Sequence, residues 1–285
     1  MISFKPLHPH FVAEASGLDL RNPLSAGEVE EIDRAMDRFA VLIWHGQPFD
    51  GEEQVAFARQ FGKLDMGLRK AYGGAHRFKS AELIDISNVG IDGEVTGRAH
   101  AKTISNLANQ LWHSDSSFQQ PAAKYSMLSA VVLPERGGET EFCDLRAAYD
   151  SLADELKEEI ANLRSEHDAF QTRQWLGDTY TEAQLKTLPP VEWPLVRTHP
   201  GSKRKVLWVG AHATHIVGRA LGEGRILLAE LLEHATQREF VFRHAWRVGD
   251  LVMWDNRCVL HRGRRFDLSR PRELRRTTTI EDRAA

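Results

Sequence analysis

Leu111-Trp112-His113-Ser114-Asp115 is the stretch from which the chain is read. His113 and Asp115 are two residues apart, so an extended backbone turns both side chains to the same side. An imidazole nitrogen and a carboxylate oxygen can then meet at one point. A second, distant histidine would complete a 2-His-1-carboxylate set, which holds non-haem Fe(II) and leaves coordination positions open. The expected partner is His261, in Trp254-Asp255-Asn256-Arg257-Cys258-Val259-Leu260-His261-Arg262-Gly263. A lone His-x-Asp is weak evidence, because most such tripeptides are surface turns or hydrogen-bonded pairs. The rest of the chain has to carry the reading.

Composition sets the frame. The 285 residues are 42% hydrophobic and 27% charged, the balance of an ordinary globular protein. A net charge of −3 gives no reason to expect a polyanion-binding protein. Two cysteines, Cys143 and Cys258, cannot form a disulfide framework, and they read as reduced thiols. No CxxC is present, so a thiolate zinc site is not expected. The N-terminal residues lack the charged and apolar regions of a signal peptide. No apolar run approaches the ~18 residues of a membrane span. These features predict a cytoplasmic protein.

Local patterns predict the elements. Ser25 and Glu28 form a capping box for a helix over residues 25–39, with Val29, Ile32, Met36 and Phe39 on one face. Residues 41–44 follow as a buried strand. Asp50 and Glu53 open a second helix that carries Val55 and Phe61 inward and stops at Gly62. Residues 63–79 lack a period and read as a solvated loop, or as a mobile loop bringing a cation to an anionic substrate. Strands are expected over residues 83–86, 125–133, 139–143, 193–199, 205–210, 240–247, 251–254 and 275–280. Residues 96–110 are polar and aperiodic. Amphipathic helices are expected over residues 147–163 and 225–234. Repeats and a linker are absent, so residues 1–285 are expected to form a single domain. Short strands with flanking helices point to a sandwich or barrel, and the lack of strand–helix alternation argues against a doubly wound fold.

Seven arginines fall between residues 262 and 276. They read either as a basic surface or nucleic-acid patch, or as cations of which one or two enter the metal cavity to grip an anion. Arg272 and Arg276 are four apart, so a strand would turn both to one side.

The motifs together are specific. The pieces are Trp112-His113-Ser114-Asp115, Gly137-Gly138-Glu139-Thr140-Glu141-Phe142, and Trp254-Asp255-Asn256-Arg257 leading to His261. Arg272 and Arg276 lie eleven and fifteen residues beyond His261. In this the chain resembles, essentially end to end, the Fe(II)/2-oxoglutarate-dependent dioxygenases of the TauD/TfdA type. It is most similar to the 2,4-dichlorophenoxyacetate (2,4-D) dioxygenase branch, through Asn109 to Phe118 and Val259 to Arg265.

The resemblance implies a mainly β fold with a double-stranded β-helix (jelly-roll) core and helices outside. It implies an oxidoreductase that uses Fe(II), 2-oxoglutarate and O2, with His113, Asp115 and His261 as iron ligands. Thr140 and Arg272 would hold the C5 carboxylate of 2-oxoglutarate, and Arg276 would face the acidic group of the substrate. Lys70 would be a second substrate anchor, a less secure transfer because the loop varies and Arg69 is adjacent. His199 and His215 are further candidate substrate contacts, each weighed against a structural role. Cys258 is expected to be a small buried residue, and Trp112 to pack behind the metal or else to stack on an aromatic substrate. The expected substrate is an aryloxyalkanoic acid, with hydroxylation next to the ether oxygen and release of a phenol, as in 2,4-D degradation. A taurine-type sulfonate dioxygenase and a non-catalytic metal-binding jelly roll are the competing readings. Neither a nucleic-acid nor a membrane partner is expected, and a homo-oligomer is.

Overall fold

The structure, a computed structural model, describes residues 1–71, 76–98 and 100–281. Residues 72–75 of the expected 63–79 loop, and residue 99 of the 96–110 segment, lie outside the described residues. The larger layer is a seven-stranded sheet. Its strands run in the order Ser3–Pro6, Ala13–Ser16, Val41–Trp44, Leu251–Asp255, Ala123–Val132, Glu273–Ile280, Ile84–Ser87. Against it packs an antiparallel sheet of Val241–His244, Thr140–Asp144 and Val259–Gly263. A third sheet joins Ala213–Ile216, Arg164–His167 and Val191–Pro194, and Val196–Thr198 pairs with Lys205–Leu207. This is the expected mainly β fold, a double-stranded β-helix with flanking helices.

The alternation of side chains along each strand builds the layers. In Leu251–Asp255, Val252 and Trp254 enter the core between the sheets, while Leu251 and Met253 join a second core. Ala123–Val132 keeps the same parity, with Leu128 and Ala130 between the sheets and Tyr125 and Met127 on the other face. The second core is closed by helices Ala26–Phe39 and Gly51–Arg59 through Ile32, Met36, Val55 and Phe57. Both helices start with the expected capping boxes, at Ser25–Glu28 and Asp50–Glu53.

Several expectations are corrected. The helix over residues 147–163 is two helices, Leu145–Asp150 and Asp154–Ile160. Between them Ser151 turns its hydroxyl onto the Ala148 carbonyl, and the chain re-enters with acidic Asp154 and Glu155 in the first turn. Leu152 and Ile160 still reach the core, so the apolar stripe runs through the break. Residues 193–199 divide between two sheets, because Val191–Pro194 pairs with Arg164–His167 and Val196–Thr198 with Lys205–Leu207. Pro194 has no N–H with which to continue the ladder. The second helix ends at Arg59, so Phe61 is buried beyond it.

Residues 96–110 contain a helix, Ala101–Leu107, and a short 3-10 turn, Ala108–Gln110. The helix has no apolar stripe because it docks through polar side chains. Lys102 Nζ reaches Asp85 at 2.7 Å, and Asn106 Nδ2 donates to the Ser87 carbonyl at 3.0 Å. Residues 63–79 include a 3-10 turn, Gly67–Lys70. Among the described residues no helix is long and apolar enough to cross a membrane.

Candidate metal centre

Strand Val259–Gly263 lies beside Thr140–Asp144, with His261 opposite Phe142. Its free edge meets the 111–115 stretch in a single bridge. The His113 N–H donates to the His261 carbonyl at 3.0 Å, and the His261 N–H donates to the His113 carbonyl at 2.9 Å. This reciprocal pair joins two segments far apart in sequence and holds the two imidazole rings 4.2 Å apart. Asp115 completes the set. Its Oδ1 lies 3.9 Å from His113 Nε2, and its Oδ2 lies 3.8 Å from His261 Nε2. All three residues are buried, and one ligand atom from each falls within 4.8 Å of the others.

The surroundings prepare these atoms for a cation. His113 Nδ1–H donates to the Leu111 carbonyl at 2.8 Å, which leaves Nε2 as the lone-pair nitrogen. His261 Nδ1 is buried with no hydrogen-bond partner among the described residues. Burial lowers the pKa of both histidines, so both stay neutral. Burial alone would raise the Asp115 carboxyl; the Arg276 guanidinium and the Ser126 hydroxyl outweigh it and hold the group ionised. One carboxylate and two neutral imidazoles at one point fit a divalent transition metal.

Asn256 is the hub behind the carboxylate. Its Oδ1 accepts from the Trp254 indole at 3.0 Å and from the Asp115 N–H at 3.1 Å. Its Nδ2 donates to Ser126 Oγ at 2.9 Å, and Ser126 in turn donates to Asp115 Oδ2 at 2.7 Å. The Ser114 hydroxyl donates to the Asn256 carbonyl at 2.7 Å.

Two cavities meet at this centre, and His113 and Arg276 line both. The smaller, about 90 Å³, also has His261, Thr140, Arg272 and Trp254 in its wall. Arg272 is buried there without a carboxylate partner among the described residues. One guanidinium nitrogen donates to the Gly138 carbonyl at 2.8 Å, and Nε has no partner. Burial lowers its pKa to about 10, so it is a charged group that calls for an anion. A Cβ at Gly138 would come within 2.8 Å of Arg272 Nε, so the guanidinium can lie here only over glycine. The larger cavity, about 1010 Å³, has Asp115 in its wall and a mixed lining, with apolar Met66, Leu68, Phe78, Ile86 and Phe118 beside charged Arg69, Arg77, Asp85 and Lys102. Arg276 donates to Asp115 Oδ1 between the two.

His113, Asp115, His261, Thr140, Arg272 and Arg276 are therefore brought together. Lys70, His199 and His215 line neither cavity. Lys70 Nζ is turned onto buried Asp65 at 2.5 Å and Gln119 at 3.0 Å. Arg69, one residue earlier, faces the larger cavity, bonded to the Ser80 and Leu83 carbonyls with no carboxylate partner among the described residues. His199 is a buried structural residue, its Nε2 on Asp255 at 3.0 Å and Nδ1 on Ser202. His215 sits half-exposed on Ala213–Ile216 beside Thr214 and Glu166. Besides His113, the larger cavity is lined by His76, His100 and His212, the last with Nδ1 3.1 Å from Ser117 Oγ. Sequence reasoning passed over both His212 and Asn256; for Asn256 the Trp254-Asp255-Asn256 motif was the available signal. A second cluster, His199, Asp255 and Cys258, has metal-like spacing. Arg257 already binds both Asp255 oxygens, at 2.8 and 2.6 Å, and so takes the place of a cation.

The fold and site define a class: the chain belongs to the TauD/TfdA family. The family model described as "Taurine catabolism dioxygenase TauD, TfdA family" matches residues 3–278. Within the family, it is 62% identical over 278 residues to an alpha-ketoglutarate-dependent 2,4-dichlorophenoxyacetate dioxygenase of Cupriavidus pinatubonensis, covering 97% of each chain. It is 33% identical to a (S)-phenoxypropionate/alpha-ketoglutarate-dioxygenase of Sphingobium herbicidovorans, over 94% of this chain and 91% of that one. The crystal structure of AAD-2 in complex with Mn(II) and N-oxalylglycine superposes with a TM-score of 0.95 at 47% identity. That match covers 99% of this chain and 98% of the other.

Proposed function

We propose that this chain is a single-domain Fe(II)- and 2-oxoglutarate-dependent dioxygenase acting on aryloxyalkanoates such as 2,4-dichlorophenoxyacetate. It hydroxylates the carbon next to the ether oxygen, and the products are a phenol, glyoxylate, succinate and CO2. The observation that carries the reading is the position of the His113–Asp115–His261 set in the wall between two unlike cavities. The smaller holds an uncompensated arginine, and the larger is broad, with apolar side chains beside charged ones.

His113, Asp115 and His261 would hold the metal. When bound, Fe(II) with 2-oxoglutarate and O2 supplies the oxidising chemistry that turns a C–H bond into C–OH. The task of the chain is placement. Arg272 and the Thr140 hydroxyl hold the distal carboxylate of 2-oxoglutarate in the small cavity. The apolar wall of the larger cavity takes the aryl ring. Arg276 and Arg69, both facing that cavity, take the substrate carboxylate in place of Lys70. Gripping the carboxylate fixes the adjacent CH2 at the metal, and such positioning contributes several kcal/mol. The hydroxylated product is a hemiacetal, which collapses to phenol and glyoxylate.

A substrate panel tests the assignment. Fe(II)-loaded protein receives 2-oxoglutarate, O2 and, in separate reactions, 2,4-dichlorophenoxyacetate, each enantiomer of a 2-aryloxypropionate, or taurine. Phenol release from an aryloxy acid is expected, without sulfite release from taurine. Sulfite without phenol would instead support the taurine-type reading.

A further inference from the structure

We propose that Trp246 is a positioning residue for the co-substrate: its indole N–H commits the Thr140 hydroxyl to donating into the small cavity. The inference rests on the reading above, in which Thr140 and Arg272 take the distal carboxylate of 2-oxoglutarate.

Trp246 Nε1 donates to Thr140 Oγ1 at 3.0 Å. A threonine hydroxyl has one hydrogen to give and two lone pairs to receive. With a lone pair occupied by the indole, the hydrogen has to point elsewhere. Thr140 is buried and lines the small cavity, and among the described residues no group accepts its hydrogen. The hydroxyl is left as a donor in want of an acceptor, in the same cavity as a guanidinium that bonds only the Gly138 carbonyl among the described residues. Two donors with no acceptor make a subsite that selects a carboxylate over a neutral terminus.

Trp246 is itself held in place. His244 lies opposite Thr140 in the strand pair, and its ring meets the indole edge-on at 4.7 Å and 82°. His244 Nε2 is fixed on Oδ2 of buried Asp250 at 3.0 Å. Asp250 also binds His45 Nδ1 at 2.6 Å and the Arg247 N–H at 2.8 Å. A buried carboxylate thus fixes the histidine, the histidine fixes the indole, and the indole fixes the hydroxyl. None of Trp246, His244, Asp250 or His45 lines either cavity.

The test is calorimetric binding to the Mn(II)-loaded protein, with two probes: 2-oxoglutarate, and 2-oxovalerate, which lacks the distal carboxylate. Trp246→Phe removes the N–H and keeps a ring against His244. It is expected to raise the Kd for 2-oxoglutarate about three- to tenfold and leave that for 2-oxovalerate unchanged. Thr140→Val should weaken 2-oxoglutarate at least as much, and adding Trp246→Phe to it should cost nothing further. An unchanged Kd in Trp246→Phe, with a raised one in Thr140→Val, would overturn the role of Trp246 and leave the Thr140 assignment standing. An unchanged Kd in Thr140→Val would remove that assignment and this inference with it. Equal weakening of both oxo acids would mark Trp246 as merely structural and also overturn the proposal. Should Trp246→Phe fail to fold, His244→Gln keeps the donor to Asp250 and frees the indole. The same selective loss is expected there, and its absence counts against the proposal equally.

Discussion

Arg272 and His167 illustrate how single side chains carry charge in this interior. Arg272 is a buried cation with no carboxylate partner among the described residues, and the partner proposed for it is 2-oxoglutarate. Replacing it with Met should remove charge-assisted hydrogen bonds worth about 1.5–3 kcal/mol each. The 2-oxoglutarate requirement should then rise roughly ten- to a hundredfold in steady-state assays. An unchanged requirement would show that Arg272 is not the anchor. His167 is buried neutral, its pKa pushed down to about 3 by burial and by Arg197. Below about pH 6.5 the unfolded chain takes up a proton that the folded one refuses, so stability falls as pH falls towards 3. In denaturant titrations between pH 6 and 5, His167→Gln should lose stability less steeply than the parent, by up to about 1.4 kcal/mol per pH unit. Equal slopes would contradict this account of His167. At this scale the sequence pointed to the His113–Asp115–His261 cluster, because His-x-Asp in an extended stretch turns both side chains to one side. It did not reveal the roles of His199, His215 or Lys70. Whether a histidine or lysine faces a cavity or a buried carboxylate is set by tertiary neighbours, here Asp255 for His199 and Asp65 for Lys70.

Elements bring these residues to one place. Val259–Gly263 carries His261, and its bridge to the 111–115 stretch aligns His113. The turn between Leu251–Asp255 and Val259–Gly263 carries Asn256, which ties both strands to Asp115 through Ser126 and the Asp115 N–H. Asn256→Ala would strand the Trp254 indole and the Asp115 amide in a dry interior. Stability is expected to fall on the order of 3 kcal/mol, with weaker metal binding, by thermal melts and metal titration. A variant with parental stability would show that the hub is dispensable. The helices over residues 25–39 and 50–59 were legible because capping boxes and an apolar face agree. The break at residues 151–153 was hidden because Leu152 and Ile160 keep the apolar spacing across it. Val259–Gly263 was not predicted as a strand. Its arginine and glycine mask the pattern, and pairing with Thr140–Asp144 defines it.

At the scale of the whole molecule, two sheets enclose one core, and helices seal a second core behind the larger sheet. This leaves a small cavity holding Arg272 and a large cavity of mixed lining, with the His113–Asp115–His261 set between them. The fold class was legible from short strands with flanking helices and from the three motifs in order. The cavities were not, because their walls draw on residues from Met66 to Arg276. In the proposed function, this one centre couples oxidation of a co-substrate on one side to hydroxylation of an aryloxy acid on the other. The most direct test is the ratio of phenol to succinate formed from 2,4-dichlorophenoxyacetate by the Fe(II)-loaded protein, with Asp115→Ala run in parallel. Equal amounts of the two products are expected from the parent protein and neither from Asp115→Ala. Succinate without phenol from the parent, or turnover retained in Asp115→Ala, would contradict the proposed function.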